Sequence, residues 1–428
     1  MKKIIVLALP IFFLSLLSSY SEAASRSEAV LQKMDEAKIL LAGVELSVET
    51  KTETRTSKKK VKSKKTGKLV WVSYPRKVEF ISSKEIALAA WDTVEDKLHI
   101  VRLIVPYSYS VAFSFQVLSS GYEVEHIAGR GPSKLIFAVK KNGRKLLALS
   151  YKHWWISPGH SNSDDPKIFE KYAEEIIYSP YAPDLYDEES ILKGADFLFN
   201  EIVAVKLELQ NKGVPSRAYP DKLLSEIIEN DYLFNLAHNE QMDHGKFEAD
   251  ANLTAEEISI EYALNGKNAF RWIASEKYAR GSFQFTNNGR GKNLGTYDYV
   301  VRECTRADLI KDFTAGTQDL RNMIKAAICL LDLELSKMPK EVRDLYLVDY
   351  RIGSVYPSIC YNGGCGKAFT LYNWLRRNKK ELKSDSFEFP VSSIGHPETH
   401  TYIRKQAFLW GYTDRIKEKL RNYQKGQQ

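Results

Sequence analysis

The spacing of apolar residues changes character twice along the chain. Residues 24–42 carry Ala29, Leu31, Met34, Ile39 and Leu40, which predicts a short helix. From about Gly43 to Ile156 the period falls toward two. Val44, Leu46 and Val48 alternate with polar neighbours, as do Val78 and Phe80, and Val101–Val105 and Ala112–Leu118 are further apolar runs. Ile136–Val139 and Leu146–Leu149 flank Lys141-Asn142-Gly143, a hairpin turn signal. Ser157–Asp165 is rich in turn formers and reads as a linker. Helical spacing then returns, with Ile191, Ala195, Leu198, Ile202 and Val205 across Asp187–Lys212, and Gly213-Val-Pro215 stops it. Leu223, Leu224, Ile227, Ile228, Leu233 and Leu236 form the stripe of a core helix. A second runs over Asp319–Met338 with Met323, Ile324, Ala327, Ile328 and Leu331 inward, and others are expected near Lys367–Asn378 and Glu398–Leu420. The pattern predicts an α+β chain: a β-rich domain over 24–156, a linker and helical connector over 157–218, and an α-rich domain over 219–428.

With 428 residues, 44% of them hydrophobic, the chain can bury more than one core. The first 23 residues read as a signal peptide, with basic Lys2 and Lys3, apolar Ile4–Leu17 and a Ser21-Glu-Ala23 cleavage site. The apolar run is short for a membrane span, and no Cys follows it to carry a lipid. Export to a periplasm or cell envelope is expected. The formal charge of +8 falls to +7 without Lys2, Lys3 and Glu22. A basic surface suits an anionic polymer, and export disfavours nucleic acid. In an oxidising compartment Cys360 and Cys365 are candidates for a short disulfide, while Cys329, inside an apolar helix, reads as a buried small hydrophobe. Lys58–Lys65 reads as a solvated hairpin loop or as a tether to an anionic envelope surface. His153-Trp-Trp155 reads as a core plug or as a sugar-stacking platform.

Four stretches carry candidate chemistry. The first, His238-Asn-Glu-Gln-Met-Asp-His244, puts Glu240 near the end of an apolar-periodic helix, where desolvation lifts a carboxyl toward neutrality. In the second, Ser275–Phe285, the glycine of Ala279-Arg-Gly281 permits close backbone approach, and Gln284 can read a hydroxyl or N-acetyl group. Cys360-Tyr-Asn-Gly-Gly-Cys-Gly366 and Pro397-Glu-Thr-His-Thr-Tyr402 complete the set. His396 and His400 superficially resemble a zincin pair, but Pro397 stands where the Glu belongs.

In this order the stretches resemble the motifs of lytic transglycosylases with a soluble-transglycosylase, goose-lysozyme-like domain. The resemblance runs from Leu223 to Trp410, and Asp319-Leu-Arg-Asn322 is similar to a framework helix of that family. It departs from the family in the long span between Glu240 and Ser275, in Gln241 where the family has Ser, and in Ser282-Phe283 where it has Leu-Met. The span leaves Glu248, Glu257, Glu261 and Glu276 as rival acids. The resemblance implies a lysozyme-like fold and cleavage between N-acetylmuramic acid and N-acetylglucosamine of peptidoglycan glycan strands, with a 1,6-anhydro end and no cofactor. Glu240 is then the catalytic acid. Ser275, Gly281, Phe283, Gln284, Tyr361 and Asn362 line the sugar cleft, and Glu398 and Tyr402 shape it from behind. Two alternatives remain: a hydrolytic muramidase with Asp243 or a Glu of the long span as second carboxylate, and a catalytically inactive wall-binding protein.

Overall fold

The computed structural model describes residues 26–63, 65–107, 114–129, 134–160, 163–275, 279–289, 294–382 and 393–426. The expected signal peptide, Lys64 and Glu276 lie outside them. The architecture is α+β, with a β-rich part followed by a helical part.

Eight antiparallel strands form the β-rich part: β1 Val48–Lys62, β2 Leu69–Asp92, β3 Lys97–Pro106, β4 Gln116–Val117, β5 Tyr122–Ala128, β6 Ile136–Lys141, β7 Arg144–Ile156 and β8 Ala173–Tyr178. The order is β4-β3-β2-β7-β6-β5, with β1 on the outer half of β2 and β8 on the end of β7. The β6–β7 turn is the expected two-residue one, with positive φ at Asn142 and Gly143. The sheet curls on itself. Phe115 beside β4 meets Phe137 of β6 edge to face at 6.1 Å, and Tyr122 of β5 bonds His99 of β3 at 3.0 Å. Its interior holds Ile86, Leu88, Val101, Leu103, Val139 and Tyr151. The helix Arg26–Ala42 covers the opposite face, with Met34, Ala37 and Leu41 against Ala87, Ala89 and Leu149. Both faces of central β2 are therefore covered, and Lys84–Ala90 is buried without a break.

The sheet continues past Ile156, where the β-rich stretch was expected to end. A short helix, Pro166–Tyr172, capped by Asp165, leads into β8, which pairs with β7 from Tyr151↔Tyr178 to Ile156↔Ala173. The Ala-Glu-Glu-Ile-Ile-Tyr order of β8 does not alternate apolar with polar, so the period does not declare a strand. The helix Glu188–Asn211, expected in a connector, is built into the helical core. Its Ile191, Ala195, Leu198, Ile202, Val205 and Leu209 are buried. Gly194 lies against the helix Ala251–Asn265 so closely that a Cβ would sit 1.7 Å from the Ser259 carbonyl oxygen.

The stripe expected from Leu223 to Leu236 is broken into Leu224–Ile227 and Asn230–Gln241 by extended backbone at Ile228 and Glu229. The span after Glu240 folds into the helices His244–Ala249 and Ala251–Asn265. The framework helix is Leu320–Ser336, capped by Asp319, with Met323, Ile324, Ala327, Ile328 and Leu331 buried as expected. Val355–Gly363, Cys365–Asn378 and the long helix Pro397–Gly426 complete the part that surrounds the site. Cys360 is bonded to Cys365, joining two of these helices. Cys329 is buried, but it is not the free small hydrophobe expected: it is bonded to Cys304. Trp155 is buried with its indole donating to the Trp272 carbonyl at 3.1 Å, and Trp154 packs on Phe169, so the Trp pair plugs core rather than offering a stacking face.

Candidate active site

Glu240 is the penultimate residue of the Asn230–Gln241 helix, which threads the helical core with every residue from Asp231 to Asn239 buried. Phe234 stacks on Phe199 with ring centres 4.4 Å apart. His238 has both ring nitrogens engaged. Nδ1 donates to the Phe234 carbonyl at 2.9 Å, and Nε2 accepts from Ser259 at 3.0 Å. Burial pushes this imidazole down to about 4, and with both nitrogens engaged it is a neutral core group.

The Glu240 carboxyl emerges where this helix meets Pro397–Gly426. Hydrogen bonds beside the carboxyl stitch the two together. The Tyr402 hydroxyl donates to Glu240 Oε1 at 2.5 Å, Asn239 Nδ2 to the Tyr402 carbonyl at 3.1 Å, and Lys405 Nζ to the Met242 carbonyl at 2.5 Å. Burial raises the Glu240 carboxyl to about 7, against the opposing pull of the Tyr402 hydrogen bond and the Lys405 charge. A half-buried carboxyl with that value exists in both protonation states near neutrality.

Ala279–Phe285 is a compact turn held from several sides. Gly281 has φ +71°, and a Cβ there would lie 2.3 Å from the Thr317 carbonyl oxygen. Gln284 also has positive φ, and its side chain donates to the Gly281 carbonyl at 2.8 Å. Gln241 donates to the Gly281 and Ser282 carbonyls at 3.1 and 3.0 Å, tying the turn to the residue after Glu240. Ser275 Oγ accepts from the Ala279 amide at 3.0 Å. Asn322 of the framework helix donates to the Gly316 carbonyl and to the Tyr297 hydroxyl, both at 2.8 Å, behind the turn. The Tyr361 hydroxyl donates to the Phe283 carbonyl at 2.5 Å, and Asn362 Oδ1 accepts from Thr399 at 2.9 Å.

These elements enclose two adjoining cavities of about 410 and 520 Å³. Glu240, Asn362 and Glu398 line both. One continues past Met242, His244, Thr401, Tyr402 and Lys405, the other past Ser275, Gln284, Phe285, Thr286, Thr296 and Tyr361. Glu240 thus stands where the two cavities meet. Each cavity has the size of a small-molecule site, typically about 300–1,000 Å³.

The structure brings Ser275, Gln284, Tyr361, Asn362, Glu398 and Tyr402 to this cleft with Glu240. It does not bring Gly281 and Phe283 there. Gly281 is the hinge of the turn, and Phe283 is wholly buried beneath it, because the positive φ at Gln284 turns the chain and leaves Phe283 facing the core. Glu398 is not behind the cleft but exposed in the first turn of its helix, on the wall of both halves. The rival acids among the described residues are engaged elsewhere. Glu248 pairs with Arg404 at 2.9 Å and Glu257 with Lys246 at 2.6 Å. Glu261 is also raised to about 7 by burial, but it accepts from the Tyr178 hydroxyl at 2.7 Å and the Tyr181 amide at 2.9 Å, at the junction with β8. Asp243 caps the His244–Ala249 helix through the Lys246 amide at 2.9 Å. Lys405 and Gln241 are the residues that sequence reasoning missed. Lys405 lies three positions after Tyr402, on the same helical face, which was the available signal.

A scan against protein-family models finds no match, and comparisons with curated proteins and with solved structures find none either.

Proposed function

We propose that this chain is an exported peptidoglycan lytic transglycosylase with a lysozyme-like helical domain, acting between N-acetylmuramic acid and N-acetylglucosamine. The observation that carries the reading is the position of Glu240: a carboxyl raised to about 7, held by Tyr402, at the meeting point of two sugar-sized cavities. The ordered likeness of the four motifs to that family supports the choice of substrate.

In this mechanism a glycan strand lies along the cleft with its scissile bond over Glu240. The protonated carboxyl gives its proton to the bridging oxygen as the bond to C1 breaks, and the leaving sugar departs as an alcohol. The resulting carboxylate, steadied by the Tyr402 hydroxyl, takes the proton of the muramyl C6 hydroxyl as that oxygen bonds C1. The ring closes, no water is consumed, and Glu240 is again protonated. Asn362, Gln284 and Ser275 offer hydrogen bonds to hydroxyl and acetamido groups, and Tyr361 braces the wall between them.

A second reading has one specific observation in its favour. Glu398 is a second carboxylate lining both halves of the cleft, which a water-using muramidase requires and which Asp243, committed to its cap, does not supply. Mass spectra of muropeptides from digested wall separate the two. A transglycosylase leaves muramyl ends lighter by one water, and a muramidase leaves reducing ends. Glu240→Gln is expected to lower turnover by ~10² or more while the protein stays folded. Glu248→Gln and Glu257→Gln keep most activity. Parental turnover in folded Glu240→Gln removes Glu240 as the acid.

A further inference from the structure

The outer half of the β1–β2 hairpin leaves the body of the protein. Arg55 pairs with Asp164 at 2.7 Å and fixes its base. Beyond that point the register runs through seven cross-strand pairs, from Thr56↔Pro75 to Lys62↔Leu69, and all of these residues except Ser57 and Tyr74 are exposed. At about 3.3 Å per residue the free ribbon is roughly 20 Å long.

Just short of its basic turn, the ribbon is apolar on both faces. Directly paired residues share a face, so Val61, Val70 and Val72 lie on one side and Leu69 and Trp71 on the other. Trp71 is 64% exposed and Leu69 66%. Lysines surround them. Lys60 sits over the Trp71 ring at 5.3 Å and Lys59 over Tyr74 at 5.0 Å. Lys58 and Lys62 are exposed on the same strand, and Lys65 and Lys68 at the turn. The sequence has no acidic residue between Glu53 and Glu79.

A flat protein surface or a polymer strand covers one face of such a ribbon and leaves the other in water. A medium that the tip enters end-on covers both. The apolar band, its single Trp and the lysines on either side of it, at the turn and along β1, match the headgroup layer of a bilayer, where Trp sits and cations meet anionic lipid. We infer that the β1–β2 hairpin is a membrane-docking arm that inserts Leu69–Val72 into the headgroup region of an anionic bilayer, with the surrounding lysines on lipid phosphates. The inference is independent of the chemistry assigned to the cleft.

The test uses the full chain with phosphatidylcholine vesicles, with and without phosphatidylglycerol, some carrying brominated acyl chains. Partition is expected to favour phosphatidylglycerol vesicles and to fall about fivefold for each lysine neutralised among Lys58→Gln, Lys60→Gln and Lys62→Gln. Brominated lipid is expected to quench a component of the Trp emission that is missing in Trp71→Phe, which isolates Trp71 from the other tryptophans. Thermal unfolding of these variants should match the parent, since the substituted side chains are exposed. Equal quenching in the parent and Trp71→Phe overturns the inference. So does lysine-dependent binding to lipid-free peptidoglycan without lysine-dependent binding to vesicles, which assigns the arm to the wall polymer.

Discussion

Tyr402 and Glu240 show how one hydrogen bond sets a titration. The phenol favours the carboxylate, so Tyr402→Phe should push the carboxyl further above about 7. The alkaline limb of cleavage should then move to higher pH, read from the pH profile of wall digestion, while kcat falls because the base form loses its support. The same carboxyl weighs on stability with a definite sign. Its value is near 4.5 when unfolded and about 7 when folded, so the folded state holds a proton that the unfolded chain has released. Its contribution is neutral below the unfolded value and turns unfavourable as pH rises toward 7. Glu240→Gln should therefore gain melting temperature relative to the parent between pH 4 and pH 7. Glu261, raised for the same reason, adds a parallel decline that the variant retains. Of these residues, the place of Glu240 at a helix end was legible because a helical stripe ended beside it. The burial of Phe283 was not legible, since a single apolar residue in an aperiodic turn carries no phase to say which way it points.

Whole elements were easier to find than to place. The period of Glu188–Asn211 declared a helix with one buried face, but periodicity does not name the surface that covers that face. The covering surface is the Ala251–Asn265 helix, whose own pattern is obscured because much of its circumference is buried. Gly194→Ala tests the contact. A Cβ in collision with the Ser259 carbonyl should cost about 1–3 kcal/mol in chemical denaturation, against the usual gain of Ala over Gly in a helix. The Cys304–Cys329 bond closes a 25-residue separation and pins the segment before the framework helix to that helix. Replacing both cysteines with Ser should cost about 3–4 kcal/mol by the loop-closure relation. Cys360–Cys365 was a candidate from its spacing around a turn, but Cys304–Cys329 could not be paired from sequence, because that pairing depends on approach in space.

Across the whole molecule, the sheet and the helices share side chains and hydrogen bonds. Ala87, Ala89 and Leu149 of the sheet belong to the same buried cluster as the helical core. Asn265 brackets Ser179 through its amide and carbonyl, and Trp272 donates to Glu174 of β8 at 2.9 Å. A fragment of residues 216–428 contains all the candidate site residues but lacks the Glu188–Asn211 helix. It should melt without cooperativity by calorimetry and leave wall suspensions turbid, whereas a fragment of residues 179–428 should recover a cooperative transition. The two-part architecture was legible in the switch of period. The seam was not, because β8 does not alternate and its contacts are made by residues that sequence treats as loop.

The stitch between the Glu240 helix and Pro397–Gly426 also has a consequence in time. Tyr402 and Glu240 are 162 positions apart, so a growing or emerging chain presents the carboxyl long before it presents the phenol. Until the long helix docks, Glu240 lacks the neighbours that desolvate it, and half of the cleft wall is missing. On the proposed function, an unfinished chain is therefore expected to be inert toward its surroundings until the last segment settles.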